Sequence, residues 1–150
     1  MKKRTALTLP FIICYLVFGN PLNAQTADRI ERLLEQETVS CQEAALLTLE
    51  ASGQLDPANN TNAEDAFIFA RERGWLPANV KGSSAVNLKD LSFLIAQAFG
   101  IKGGLFYTIF KTPHYAYRTL VYYNIIQGRT DPLMHVSGEL LLFTVNRAAN

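Results

Sequence analysis

Cysteine is nearly absent: Cys14 and Cys41 are the only two in 150 residues, and Cys14 lies in an N-terminal apolar run. With that run removed, a single thiol remains, so no intramolecular disulfide can form and a hydrophobic core must hold the fold. Histidine is equally scarce. His114 and His135 have no cysteine or carboxylate at metal-ligand spacing, which argues against a zinc site. Asp56 to Phe67 is dense in Asp and Asn but lacks the mid-chain glycine and closing glutamate of a calcium loop, and reads as a turn loop. No paired carboxylates, Ser-His-Asp set or phosphate-cradling motif can be assembled. Gly103-Gly104 follows a predicted helix rather than the strand that a phosphate loop requires. The residues therefore nominate no catalytic group, no metal and no cofactor.

A basic field is missing too. Without Lys2, Lys3 and Arg4 the chain carries 11 Lys and Arg against 13 Asp and Glu, and 11 − 13 = −2. That balance does not suit a nucleic-acid partner.

The N-terminus does carry a signal. Lys2, Lys3 and Arg4 precede an apolar stretch from Ala6 to Gly19, then Pro21 and Leu22-Asn23-Ala24. Charged start, apolar middle and small residue at the cut are the layout of a secretory leader, with cleavage expected after Ala24. The apolar run is short for a permanent anchor, so no integral membrane segment is expected after cleavage, and the protein is expected in the periplasm or cell envelope. Cys14 is preceded by Ile13, where a lipid-attachment signal wants a small residue.

Beyond the leader the reading frame repeats. Asp65–Ala98 lies over Tyr115–Ala148 at a constant offset of 50, pairing Phe67 with Tyr117, Leu76 with Ile126, Val86 with Val136 and Leu91 with Leu141. An earlier partial copy at an offset of 47 pairs Val39, Ser40, Glu43 and Ala51 with Val86, Asn87, Asp90 and Ala98. A period of this length marks stacked supersecondary units.

Apolar spacing and punctuation turn the copies into helices. Ala27 to Thr38 reads as an amphipathic lead-in helix, followed by a domain over 39–150. Ser40 with Glu43 forms a capping box, and Gly53 stops the helix that it opens. Ala63 to Arg73 is next. Asn87 caps a helix to Gly100 with Leu88, Leu91, Leu94, Ile95 and Ala98 on one stripe. Pro113 begins a helix running to about Ile126, and Ser137 caps a last one through Arg147. Leu105 to Phe110, apolar and aromatic between Lys102 and Lys111, reads as core cover rather than a membrane-surface segment. The expected fold class is all-α, a compact bundle of about six helices in two to three helix-loop-helix pseudo-repeats.

The helix openings Val39-Ser40-Cys41-Gln42-Glu43, Val86-Asn87-Leu88-Lys89-Asp90 and Val136-Ser137-Gly138-Glu139-Leu140, with the loop Ile125-Ile126-Gln127-Gly128-Arg129-Thr130-Asp131-Pro132, resemble S-layer homology repeats of bacterial envelope proteins. The resemblance covers roughly Val39 to Ala148. It implies a pseudo-symmetric helical bundle that attaches, without catalysis, to peptidoglycan-linked wall glycan. Where the family's opening motif has an arginine, this chain has Cys41, Leu88 and Gly138.

Two clusters are candidate ligand sites. His114, Tyr115 and Arg118 join aromatic rings to a cation that could stack on and bond a sugar, although Tyr117 aligns with Phe67 as a core position and Arg118 could pair with an acid. Trp75, the only tryptophan, lies near Arg71 and Arg73 and could be a stacking platform or pack a helix end. The expected partner is wall glycan. The alternative is an envelope protein, bound through the aromatic segment Leu105 to Phe110 and the surface near Arg118 by an assembly module that has lost glycan recognition.

Overall fold

The computed structural model describes residues 21–150, with side chains from Ala27 onward, and it is all-helical. The leader core Met1–Asn20 lies outside the described residues. Seven α-helices are present among those described: α1 (Pro21–Leu34), α2 (Cys41–Ala51), α3 (Ala63–Glu72), α4 (Leu88–Ala98), α5 (Leu105–Phe110), α6 (Pro113–Tyr122) and α7 (Gly138–Ala149). A 3-10 turn at Pro57–Asn59 sits between α2 and α3. The chain divides into two compact units, residues 1–32 and 33–150, and the second holds α2–α7 and the core.

The two sequence offsets correspond to a hub with threefold pseudo-symmetry. Val39 N–H donates to Val136 C=O at 2.8 Å, Val136 N–H to Val86 C=O at 3.1 Å, and Val86 N–H back to Val39 C=O at 2.9 Å. The three valines are buried and close a ring in which each copy's entry segment satisfies the next one's backbone. One residue after each valine, Ser40, Asn87 and Ser137 accept the backbone N–H of Glu43, Asp90 and Leu140, so α2, α4 and α7 all start at the hub.

The contacts outside the ring repeat as well. Cys41 N–H donates to Ser84 C=O at 2.9 Å and Gln42 N–H to Gly82 C=O at 3.0 Å. Fifty positions on from the acceptors, Leu88 N–H meets Met134 C=O at 3.0 Å and Lys89 N–H meets Pro132 C=O at 2.8 Å. The third junction is different: Gly138 N–H donates to Gln36 C=O at 3.0 Å, so the segment after α1 fills the place that a loop takes elsewhere.

The core lies around this hub. Leu49, Leu88, Leu91, Leu94, Ile95, Leu120 and Leu141 are fully buried, each contributing about 1.5–3 kcal/mol relative to exposure. α4 packs against α6 and α2 against α3, giving two helix pairs completed by α7.

Three features differ from the sequence expectation. α1 begins at Pro21 and ends at Leu34 rather than spanning Ala27 to Thr38. α6 stops at Tyr122 because Asn124 adopts a left-handed conformation (φ 58°), the slot that Gly74 (φ 70°) fills after α3. Most consequentially, α5 does not cover the core. Leu105, Phe106, Ile109 and Phe110 are 71%, 62%, 61% and 56% exposed, and only Tyr107 turns inward. A six-residue helix has one narrow inward face, so an apolar run of this length cannot bury all its side chains.

Candidate functional site

α5 has no counterpart of equal size in the first pair, where the shorter loop carries only the 3-10 turn. Its position is fixed from inside. The Tyr107 hydroxyl accepts from Gln97 Nε2 of α4 at 2.7 Å, and burial pushes that phenol up despite this bond. Gly103 permits the close approach: a Cβ there would lie 2.5 Å from Tyr107 Cδ1 and 2.7 Å from Thr119 Oγ1. The Tyr123 hydroxyl donates to Lys102 C=O at 3.0 Å, tying the end of α6 to the approach of α5.

Between these elements lies a groove of about 610 Å³. One wall is Gly103 to Tyr107; the other is the face of α6 made by Tyr115, Arg118, Thr119 and Tyr122, with Tyr123 beyond. Helical spacing puts Tyr115, Arg118 or Thr119, and Tyr122 in one line. Phe106 and Phe110 each stack on Tyr115, with centroids 5.9 and 5.8 Å away and planes 13° and 23° apart. His114 meets the same ring edge-on at 5.6 Å, and Tyr122 meets Tyr123 edge-on at 5.4 Å. Such offset ring pairs are worth about 0.5–1.5 kcal/mol beyond area burial.

Arg118 is the one formal charge on this wall. It is exposed and has no hydrogen bond, ion pair or ring contact among the described residues. The groove therefore combines flat apolar ring faces, tyrosine hydroxyls and a guanidinium with five donors to offer. Its volume is within the range of small-molecule sites, about 300–1,000 Å³.

The structure thus brings together Tyr115 and Arg118, with His114 alongside. Trp75 and Arg71 lie elsewhere, on and after α3, and line no part of the groove. There the cation over Trp75 is Arg73, whose Cζ lies 3.4 Å from the Phe69 centroid and 5.8 Å from that of Trp75. Arg71 instead lies 5.2 Å over Phe67. Trp75 itself is half-buried against the core. Tyr117 packs on the core, with its hydroxyl 2.9 Å from Thr130 C=O.

Sequence reasoning missed Thr119, Tyr122 and Tyr123. The signal was available in the spacing from Tyr115 to Tyr122, two turns along one helix, but the expected extension of α6 to Ile126 obscured where that face ends.

The three helix openings hold no cation where the resemblance implies an arginine. Cys41, Leu88 and Gly138 are all buried. Burial first, then the Asp90 carboxylate, pushes the Cys41 thiol up to about 11, so it stays protonated at neutral pH and is a poor nucleophile. Among the described residues no group of three His, Cys, Asp or Glu side chains is arranged to hold a metal ion. No protein-family model matches the chain, and no curated protein or solved structure matches it.

Proposed function

We propose that the chain is a non-catalytic attachment module, exported to the cell envelope, that holds a sugar chain of the wall glycan in the α5–α6 groove. The observation that carries this reading is an unpartnered guanidinium, Arg118, set in a line of tyrosines on a groove wall. Ring faces accept the apolar face of a pyranose, while Arg118 and the tyrosine hydroxyls bond its oxygens. The resemblance to envelope repeats supplies the setting, and the buried state of Cys41, Leu88 and Gly138 gives a reason to look for the cation away from the helix openings.

The test is co-sedimentation with purified peptidoglycan sacculi. Wild-type chain is expected in the pellet, and Arg118→Ala and Tyr122→Ala each reduce the bound fraction at least about tenfold, equivalent to about 1.4 kcal/mol. Both side chains are exposed, so the variants should melt like the wild type. Failure to pellet across salt and pH, or pelleting unaffected by either substitution, would sink the glycan reading.

A further inference from the structure

The exposed face of α5 is larger than the groove requires. Phe106 and Leu105 line the groove, but Ile109 and Phe110 do not, and all four are more than half exposed. At i and i+4 spacing they form two rows, 105 with 109 and 106 with 110, along one side of the helix. Such a contiguous apolar ridge on a small domain marks a contact surface.

The ridge is rigidly mounted. Tyr107 anchors it to α4, Thr108 Oγ1 donates to Gly104 C=O at 3.2 Å, and Lys111 closes the helix in a left-handed conformation (φ 40°). Lysines flank both ends, Lys102 before the helix and Lys111 after it, and both are exposed.

Along the chain, charge on either side of the ridge has one sign. Between Asp90 and Asp131 there is no Asp or Glu, while Lys102, Lys111, Arg118 and Arg129 fall inside; all 13 acidic residues lie outside this stretch. An apolar tip between cations, in a stretch of chain from 91 to 130 that holds no acidic residue, complements an anionic lipid surface. A protein interface more often mixes polar groups of both signs around its rim. Among the described residues no helix is long and apolar enough to cross a membrane, so this contact is a peripheral one.

We infer that α5 docks the protein on an anionic bilayer, with Leu105, Phe106, Ile109 and Phe110 entering the boundary between headgroups and acyl chains and Lys102 and Lys111 meeting the lipid phosphates. A helix of six residues is about 9 Å long and lies flat in the interface, which extends about 5–10 Å into the boundary. The lysine stems run along the apolar layer while their ammonium groups stay at headgroup level. Leu105 and Phe106 are shared with the groove, whereas Ile109, Phe110, Lys102 and Lys111, the positions substituted below, line no part of it.

The test is sedimentation with vesicles of phosphatidylcholine, with and without phosphatidylglycerol. Every variant keeps the same N-terminus, so any contribution of the leader cancels. Wild type is expected to bind the anionic vesicles. Ile109→Ser with Phe110→Ser weakens that binding at least tenfold. Lys102→Gln with Lys111→Gln lowers it about 30-fold, at about a factor of five per lysine, and removes most of its dependence on the anionic fraction. A second readout places a single tryptophan on the ridge, Phe110→Trp in a Trp75→Phe background, whose emission should be quenched by lipids brominated in the acyl chain. Absence of binding by wild type, equal binding by the serine variant, or an unquenched Trp at 110 would overturn the inference. So would a crosslinked protein partner lost with the serine variant while vesicle binding stays unchanged.

Discussion

Replacing Gly138 with alanine isolates the one junction where the threefold pattern is broken. A methyl group at 138 would land inside the van der Waals radius of the Leu33 carbonyl oxygen and 2.5 Å from its carbonyl carbon. Both atoms are backbone, so the strain cannot be relieved by a side-chain rotation. Overpacking of this kind costs about 1–3 kcal/mol. Displacing the Leu33–Gln36 segment also loosens the 3.0 Å bond from Gly138 N–H to Gln36 C=O, worth about 1 kcal/mol. Against this, alanine gains about 0.5–1 kcal/mol over glycine inside a helix. The net is a loss of about 1–3 kcal/mol. At about 4 °C per kcal/mol for a domain of this size, the melting midpoint should fall by roughly 4–12 °C. Thermal and urea unfolding followed by far-UV circular dichroism would measure it. Glu139→Ala, at the exposed neighbouring position, is the control and should stay within about 0.5 kcal/mol. A Gly138→Ala midpoint equal to or above wild type, as helix propensity alone demands, would refute the close approach of the Leu33 backbone.

Thr48 is fully buried and its hydroxyl has no partner, so Thr48→Val, which keeps the shape and removes the orphan, should stabilise by about 1 kcal/mol in urea titration. Cys41, with a thiol pushed up to about 11 by burial and by Asp90, should resist thiol reagents at pH 8 and react only on unfolding in denaturant. Acid stability should depend on Glu43. Burial alone would raise its carboxyl, but Ser40 and Gln36 donate to it at 2.7 and 3.2 Å, and its folded value ends below the usual one. A depressed carboxylate adds stability that is complete above its unfolded value, about 4.3, and is lost as pH falls through the folded value. Asp90, raised mainly by burial, works in the opposite sense, its contribution fading as pH rises past its folded value. The difference in urea midpoint between wild type and Glu43→Ala cancels Asp90 and should shrink as pH falls from 5.

The hub was legible in the sequence because its requirements are local and repeated. Val39, Val86 and Val136 each precede a capping residue, and the caps Ser40, Asn87 and Ser137 start helices by the same bond in all three copies. The 47-residue offset continues to Gly53 and Gly100, both at positive φ, and the 50-residue offset links Gly74 to Asn124. The candidate groove was legible only in part, since Tyr115 and Arg118 were singled out while Thr119, Tyr122 and Tyr123 were not. Composition cannot distinguish a helix that covers a core from one that stands off it, and Leu105–Phe110 has the same apolar character in either state. What decides the matter is tertiary: Gly103 draws the chain against Thr119, Tyr107 is claimed by Gln97, and the other rings are left outside. The pairing of Arg73 with Phe69 and Trp75 was likewise hidden, because Arg71 and Arg73 both precede Trp75 closely in sequence and the end of α3 at Glu72 sets them apart.

The central claim is that a repeated helical hub carries its binding site on the enlarged second pair, at the α5–α6 groove. The most direct measurement is a titration of uniformly ¹⁵N-labelled chain with solubilised peptidoglycan fragments, following backbone amide shifts. Changes concentrated at Gly103, Gly104 and Arg118 to Tyr123, and abolished in Arg118→Ala, are the expected result. Changes centred on the helix openings at Cys41, Leu88 and Gly138, or no changes at millimolar glycan, would contradict it.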